Sequence, residues 1–429
     1  MARQFTRLAD WLTWQETLHP STIDLGLERL ERTLRRLNWQ RPRCPVITIG
    51  GTNGKGSCVA LLSRILGEAG YRIGTFTSPH LLRYNERIIL DGREVSDASL
   101  LAAFERIDVA RGADTLTFFE FNTLAALLVF ETACLDAIVL EVGLGGRLDA
   151  VNIVDADVAL VTSIALDHCD WLGPDVQSIG REKAGIFRAG RPAILGAADM
   201  PDAVAAVART IGARLLRLGQ DFGHRREGER WSWQGLNKQI TDLPPPALSG
   251  AVQFDNAAAV LMVLECLGAR LPVERDAIVR GLEHVRLPGR FDRFRVDDVE
   301  WIVDVAHNPA AAHVLAQTLQ LEPPGDAAHG TWAVCGILGD KDIEGIAAEL
   351  RASFTQWVIV RPDSPRAIDE NALADRLRRC GVSVAATAPT VAGGCEAARK
   401  LARPGDRVVA FGSFFTVAPA LEWLAIAYT

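Results

Sequence analysis

The segment Gly50-Gly51-Thr52-Asn53-Gly54-Lys55-Gly56-Ser57 is the first place where this sequence carries chemistry, because it sits between an apolar run and a helical pattern. Glycines let backbone N–H groups turn toward an anion, and the N-terminus of a following helix adds a partial positive charge. In such a loop Lys55 reaches the outer phosphates of a nucleotide and the Ser57 hydroxyl lies near its metal. The spacing departs from the common G-x-x-x-x-G-K-[ST] pattern: Ile49 stands at the first glycine position, and Gly56 separates Lys55 from Ser57. The strand–loop–helix setting still selects ATP with Mg²⁺ over a glycine turn without ligand.

Three further residues have types suited to work beside a phosphate. Glu141 closes the apolar run Ala137–Leu140 and opens Gly143-Leu144-Gly145-Gly146, where a carboxylate at a strand end is placed for metal or ligand work. Alone it reads equally as an ordinary strand-end glutamate. His168, in Ala165-Leu166-Asp167-His168, reads alone as a structural histidine, and imidazole is an unusual ligand for Mg²⁺. Lys183, in Gly180-Arg181-Glu182-Lys183-Ala184-Gly185-Ile186-Phe187, reads alone as a solvated helix lysine.

The elements that must position these residues follow from periodicity. Leucines at 25, 27, 30, 34 and 37 predict a helix over 25–37, after another over 6–18. Apolar runs at Val46–Ile49, Ala137–Leu140, Val158–Val161 and Ala193–Leu195, with helical patterns between, indicate a parallel sheet covered on both faces. From Arg225 to Gly250, Trp231-Ser232-Trp233 and the run Pro244-Pro245-Pro246 predict a hairpin and an extended loop. Helices follow near 253–267 and 273–284. Leu287-Pro288-Gly289-Arg290 reads as a hinge, and a second α/β series begins after it, with strands near 301–305, 333–336, 358–360 and 408–411. The expected plan is α/β in two domains: residues 1–286 with the phosphate loop, a linker at 287–296, and a smaller Rossmann-like domain at 297–429.

Composition narrows the partners. A formal net charge of −7 disfavours nucleic acid, which is bound through clustered Lys and Arg. Eight cysteines without a C-x-x-C pair indicate neither a zinc knuckle nor a disulfide framework and fit a cytoplasm. No apolar run approaches the ~18 residues that span a bilayer. The opening Met1-Ala2-Arg3-Gln4-Phe5-Thr6-Arg7 is basic and leads into no apolar signal core.

These segments together resemble the folylpolyglutamate synthase and dihydrofolate synthase family, within the Mur-ligase type of ATP-dependent amide ligases. The likeness runs in order through 22–29, 51–57, Thr77-Ser78-Pro79-His80-Leu81, 141–150, Leu166-Asp167-His168, 181–187, Pro288-Gly289-Arg290-Phe291, Asp304-Val305-Ala306-His307-Asn308-Pro309 and Gly412-Ser413-Phe414. The resemblance implies that Thr52, Asn53, Gly54, Lys55, Gly56 and Ser57 hold the ATP phosphates, and that Asn256, Arg290, Asp304 and His307 complete the nucleotide site. It implies two magnesium ions on Ser57, Ser78, Glu141, His168 and Lys183, the lysine carrying an N6-carboxylate. Ile23, Asp24, Leu25, Thr117, Phe118, Phe119, Glu120, Leu148, Asp149 and Ala150 would line the pterin-bearing substrate, with Asp149 on its amino edge and Phe119 as an aromatic face. Val151 and Phe415 stand where the family often has threonine and, nearby, histidine. These departures bear on substrate preference.

The implied reaction is amide formation: the γ-phosphoryl of ATP moves to a substrate carboxylate, the amine of L-glutamate attacks, and phosphate leaves. Lys55, Lys183, His168 and Arg290 would serve the reacting groups, largely by positioning and charge neutralisation. The expected partners are dihydropteroate, reduced folates, L-glutamate and ATP, acting on a cytoplasmic monomer. Nucleotide residues on both sides of Leu287–Arg290 predict closure about that hinge. A monofunctional folylpolyglutamate synthase and a cell-wall ligase are the alternative readings.

Overall fold

In the computed structural model the short apolar runs become strands buried along their whole length. Residues 5–322 and 329–427 are described, and the basic opening at 1–4 lies outside them. The chain divides into two compact units, Met1–Ala247 with Phe254–Val285, and Leu248–Gln253 with Arg286–Thr429.

The first unit is built on eight strands: β1 (Val46–Gly50), β2 (Ile73–Phe76), β3 (Ile88–Leu90), β4 (Arg93–Glu94), β5 (Ala137–Glu141), β6 (Val158–Val161), β7 (Pro192–Leu195) and β8 (Arg214–Arg217). Their order is β4-β3-β2-β5-β1-β6-β7-β8. From β2 to β8 all pairs are parallel, as continuous Val/Ile/Leu runs require when helices cover both faces. Ile49 pairs with Glu141, Gly50 with Val161 and Phe76 with Leu140. The loops after β1, β2, β5 and β6 therefore leave one sheet edge side by side, where ligands of open α/β sheets collect.

The region expected as a hairpin is a three-stranded antiparallel sheet of β9 (Gly223–Glu227), β10 (Arg230–Gln234) and β11 (Gln239–Leu243). Trp231 and Trp233 are buried on one face of β10, and their indole N–H groups donate to Pro244 O at 2.7 Å and Ala258 O at 3.0 Å. The polar strand Gly223–Glu227 gave no apolar alternation to announce it. The helix Val252–Leu267 belongs to a stretch, Val252–Arg270, long and apolar enough to cross a membrane, but Ala257–Val263 are enclosed in the core.

The second unit carries β12 (Arg290–Val296), β13 (Val299–Asp304), β14 (Thr331–Cys335), β15 (Gln356–Val360), β16 (Val384–Ala388) and β17 (Arg407–Phe411), in the order β12-β13-β17-β14-β15-β16. All pairs but β12–β13 are parallel. The expected linker at 287–296 needs correction, because 290–296 form an edge strand. Asp297 and Asp298, at φ 50° and 59°, make the left-handed turn that pairs β12 with β13. The first two helices also differ from expectation, running Leu8–Leu18 and Glu28–Arg36.

Candidate active site

The phosphate loop starts from two glycines at which any side chain would be strained. Gly51 has φ +142°, and a Cβ there would lie 2.0 Å from Thr162 Oγ1; Gly54 has φ +87°, and a Cβ there would lie 2.8 Å from Asn256 Oδ1. The segment after β6 forms the loop's floor. Thr52 N donates to Ser163 O at 2.7 Å, Thr52 Oγ1 bonds both Ala165 O and Ala165 N, and Thr162 Oγ1 donates to Asn53 O at 2.6 Å. Asn53 N donates to Ser163 Oγ at 3.3 Å. The amides of Thr52 and Asn53 thus brace the loop. The first turn of the helix Lys55–Glu68, whose amides have no intrahelical acceptor, is left to meet an anion.

Two lysines converge on this loop. Lys55 Nζ donates to Gly51 O at 3.0 Å and Thr52 O at 3.1 Å, and Lys183 Nζ donates to the same Gly51 O at 2.9 Å. Lys183 is buried at 6% exposure, so it is no solvated helix lysine. Burial first, and then the Lys55 charge, push its amine down to about 7. The helix that carries it, Val176–Ala184, receives the loop after β5: a Cβ at Gly146 would meet Lys183 O at 2.7 Å, and Arg147 N donates to Glu182 O at 2.9 Å.

Glu141, buried at the end of β5, accepts Ser78 N at 3.3 Å, so two of the expected metal residues meet. Ser57 is buried in the first turn of the phosphate-loop helix. His168 adopts φ 54° at the start of the short helix Cys169–Leu172, with Nε2 3.9 Å from Asp167 Oδ1. Among the described residues no three His, Cys, Asp or Glu side chains gather as a ready cation cage. One carboxylate with serine hydroxyls beside a phosphate loop fits Mg²⁺, which keeps several waters and takes phosphate oxygens. Imidazole fits it less well.

The expected substrate residues divide into faces and braces. Phe119 lies against the backbone of Gly143, where a Cβ would meet its ring at 2.5 Å, and its centroid is 5.7 Å from Phe76. Thr117 and Glu120 cap the helix Phe118–Thr132 reciprocally. Glu120 is also gripped by Arg29 Nε, at 2.8 Å from each carboxylate oxygen, and Arg29 bonds Asp24 as well. The segment Ile23–Leu25 is thereby tied to the start of that helix. Asp149 is 2% exposed and accepts Leu144 N at 2.8 Å and Val151 N at 3.0 Å. It holds its own loop and caps the turn Ala150–Ile153, with Ala150 buried and Leu148 half-buried beside it.

In the second unit, Arg290 lies over the Phe414 ring at 5.6 Å. Asp304 accepts Phe291 N at 3.0 Å and Ala306 N at 2.8 Å; burial pushes its carboxyl up, opposed first by Arg290. His307 Nδ1 donates to Val305 O at 2.8 Å, and Asn308 Oδ1 caps the helix Pro309–Leu321 by accepting Ala311 N at 2.9 Å. This grouping supports positioning for His307 and Asn308.

Known proteins share this arrangement. Residues 49–239 match the Mur ligase middle domain and residues 289–414 match the Mur ligase glutamate ligase domain. The chain is 44% identical over 415 residues to the dihydrofolate synthase/folylpolyglutamate synthase of Escherichia coli K12, covering 97% of this chain and 95% of that one. The chain belongs to the dihydrofolate synthase/folylpolyglutamate synthase family. E. coli FolC in complex with DHPP and ADP superposes with a TM-score of 0.93 at 43% identity, covering 99% of each chain. A bifunctional folylpolyglutamate synthase/dihydrofolate synthase with Mn, AMPPNP and L-glutamate bound gives 0.90 at 43% identity, over 99% of this chain and 100% of that one. The expected two-domain Mur-ligase fold stands, and so does the expectation of a ligase of this type.

One residue that sequence reasoning missed lies among these synthase residues. Arg87, the last residue of the turn Tyr84–Arg87, is buried with its guanidinium over the Phe118 ring at 5.5 Å. No motif marks it, since the ring of Phe118 comes from a distant segment.

Proposed function

We propose that this chain joins L-glutamate to dihydropteroate, forming dihydrofolate, and to folate γ-carboxylates, forming polyglutamates, with ATP supplying an acyl phosphate. The observation that carries this reading is the likeness along the whole chain to proteins bound to nucleotide, glutamate and DHPP, on a sheet edge that assembles the matching loops. A carboxylate is a poor electrophile at neutral pH, so phosphate must be installed as leaving group before the amine attacks. The first turn after Gly54 and the Lys55 ammonium bind and orient the phosphates. A divalent cation, when bound, neutralises charge on the transferred phosphoryl group. Ser57, Ser78 and Glu141 would hold it, with His168 as a further donor.

Lys183 is proposed to carry an N6-carboxylate. Its unprotonated amine adds to the carbon of CO₂ and releases one proton to water, turning a buried cation into hard oxygen donors. Burial beside Lys55 favours that change, since two ammonium groups a few ångströms apart repel by about 4 kcal/mol at an effective dielectric of 20. Incubation with ¹³C-bicarbonate should give a carbamate resonance that Lys183→Ala abolishes, and short carboxylic acids should restore part of that variant's activity.

The eight free cysteines suit a reducing cytoplasm. Purified protein with ATP, Mg²⁺ and glutamate, offered dihydropteroate and then reduced folates, is expected to release phosphate with each. Release with folates alone would leave a monofunctional synthase. Release with uridine-nucleotide peptides instead would assign a cell-wall ligase, and turnover without glutamate would overturn ligation.

A further inference from the structure

Among the described residues the buried cation Arg87 has no partner equal to its charge. It is 8% exposed, wedged between the rings of Phe118 at 5.5 Å and Tyr84 at 5.9 Å. Its Nε donates to His80 Nδ1 at 2.8 Å, the one side-chain hydrogen bond it makes among the described residues, and no ion pair joins it to a carboxylate there. The adjacent Glu86 is engaged elsewhere, accepting the amides of Leu81, Leu82 and Arg83 at 2.7, 2.8 and 2.7 Å. Glu141 attracts the guanidinium only through space. Arginine does not shed its proton, and a desolvated guanidinium without a paired anion is held at a substantial cost. The two rings offset part of that cost. The terminal nitrogens, a fork shaped for a carboxylate, make no hydrogen bond to the described residues and are not sealed from solvent.

The surroundings indicate which carboxylate. Phe118 belongs to the segment that lines the pterin-bearing substrate on the function proposed above, and this inference rests on that reading. On the other side, Thr77 N donates to Arg87 O at 2.9 Å, and Ser78 follows with its bond to Glu141. We propose that Arg87 anchors a carboxylate of the pterin-bearing substrate, its Nη1 and Nη2 donors meeting the carboxylate oxygens beside the Phe118 ring. Each oxygen keeps a second lone pair, so the anchored group remains able to attack phosphorus. His80 acts as a positioning residue: accepting Nε–H at Nδ1, it fixes the direction in which the fork points.

The test compares two ligands on the full chain with Mg²⁺ and a non-hydrolysable ATP analogue, by calorimetry: dihydropteroate and its analogue lacking the carboxylate. Wild type is expected to prefer dihydropteroate by roughly 10- to 100-fold. Arg87→Met should erase that preference while binding the decarboxylated analogue as wild type does. Arg87→Lys, which keeps the charge but loses the fork, should retain only part of it and covers the case in which the methionine variant fails to fold. A wild-type preference surviving in both variants overturns the proposal. So does an equal loss of affinity for both ligands, which marks Arg87 as a support of the fold. If wild type binds neither ligand, the functional reading itself fails and takes the anchor with it.

Discussion

Two glycine-rich loops leave the same edge of the first sheet, and they are built in opposite senses. The loop after β1 ties its backbone outward to a neighbouring segment, with Thr52 and Asn53 bonded to 162–165, and delivers a bare helix N-terminus. The loop after β5 closes around its own carboxylate: Asp149 takes the amides of Leu144 and Val151. In the first the backbone is the functional group and the side chains hold it still. In the second a side chain whose type suits a ligand shapes the loop, and the backbone of Gly143 is a bed for Phe119. A charged residue in a glycine loop therefore says little about which of these tasks it performs.

The largest effect should come from the functional side of this contrast. Lys55→Ala removes the ammonium while the bonds from Thr52 and Asn53 to the floor persist, so the fold should survive. Ligation is expected to fall about 10²- to 10³-fold in kcat, as for loss of one preorganised charge-stabilising group. Steady-state phosphate release with unchanged far-UV circular dichroism checks it. Near wild-type kcat would remove the phosphate loop from the site.

Gly51→Ala attacks the floor of the same loop. At φ +142° with a Cβ 2.0 Å from Thr162 Oγ1, alanine must displace a hydroxyl that bonds Gly50 O and Asn53 O. We expect a loss of about 2–4 kcal/mol, from left-handed strain and overpacking together. Thermal unfolding should show it as a lowered midpoint of the first unit, with nucleotide binding reduced in step. An unchanged midpoint would mean that the loop is not held by its floor.

How far the sequence could be read follows the same division. Gly51–Ser57 and the strands Val46–Gly50, Ala137–Glu141 and Val158–Val161 were visible because a backbone motif and a doubly covered strand both impose composition. Edge strands were not. Arg290–Val296 interleaves Arg293 and Arg295 with its apolar residues and follows Pro288-Gly289, and its turn uses Asp297-Asp298 without glycine. Asp149, Thr117 and Glu120 were found by position, but Asp, Thr and Glu serve local amides as readily as ligands, and only folded coordinates tell which. Arg87 was invisible because its meaning lies in the carboxylates it lacks.

The second loop makes a pH prediction. Burial pushes Asp149 up to about 7, against the opposing pull of the Leu144 and Val151 amides. A carboxyl whose folded pKa lies above its unfolded value of about 3.9 favours the folded state when protonated. Its contribution is complete below about pH 4 and is lost as pH rises through 7. Asp149→Asn should flatten that part of the stability profile between pH 4 and 8. It should also cost about 1–2 kcal/mol at low pH, because its amide donors face a backbone N–H. A profile that keeps its wild-type slope would show that Asp149 is already ionised through contact with charge.

The smallest effect decides whether Thr117 is a brace or a substrate contact. Its hydroxyl accepts Glu120 N at 3.3 Å and donates to Glu120 Oε2 at 3.0 Å, while Thr117 N donates to the same carboxylate at 2.8 Å. Both partners are buried, and Arg29 already balances the Glu120 charge. Thr117→Ala leaves the Thr117 amide bond in place and removes only the hydroxyl's share, so the loss should be about 1 kcal/mol, the usual worth of an N-cap. Thr117→Ser should recover most of it. If the hydroxyl serves only the cap, the KM for dihydropteroate should change less than about twofold in Thr117→Ser and track stability in Thr117→Ala, since a cap acts on the helix that carries Phe118 and Phe119 and not on the ligand. A KM that rises tenfold in Thr117→Ala without a shift in the unfolding midpoint would return Thr117 to the substrate, and with it the idea that this helix start, like the one after Gly54, is kept open for a ligand.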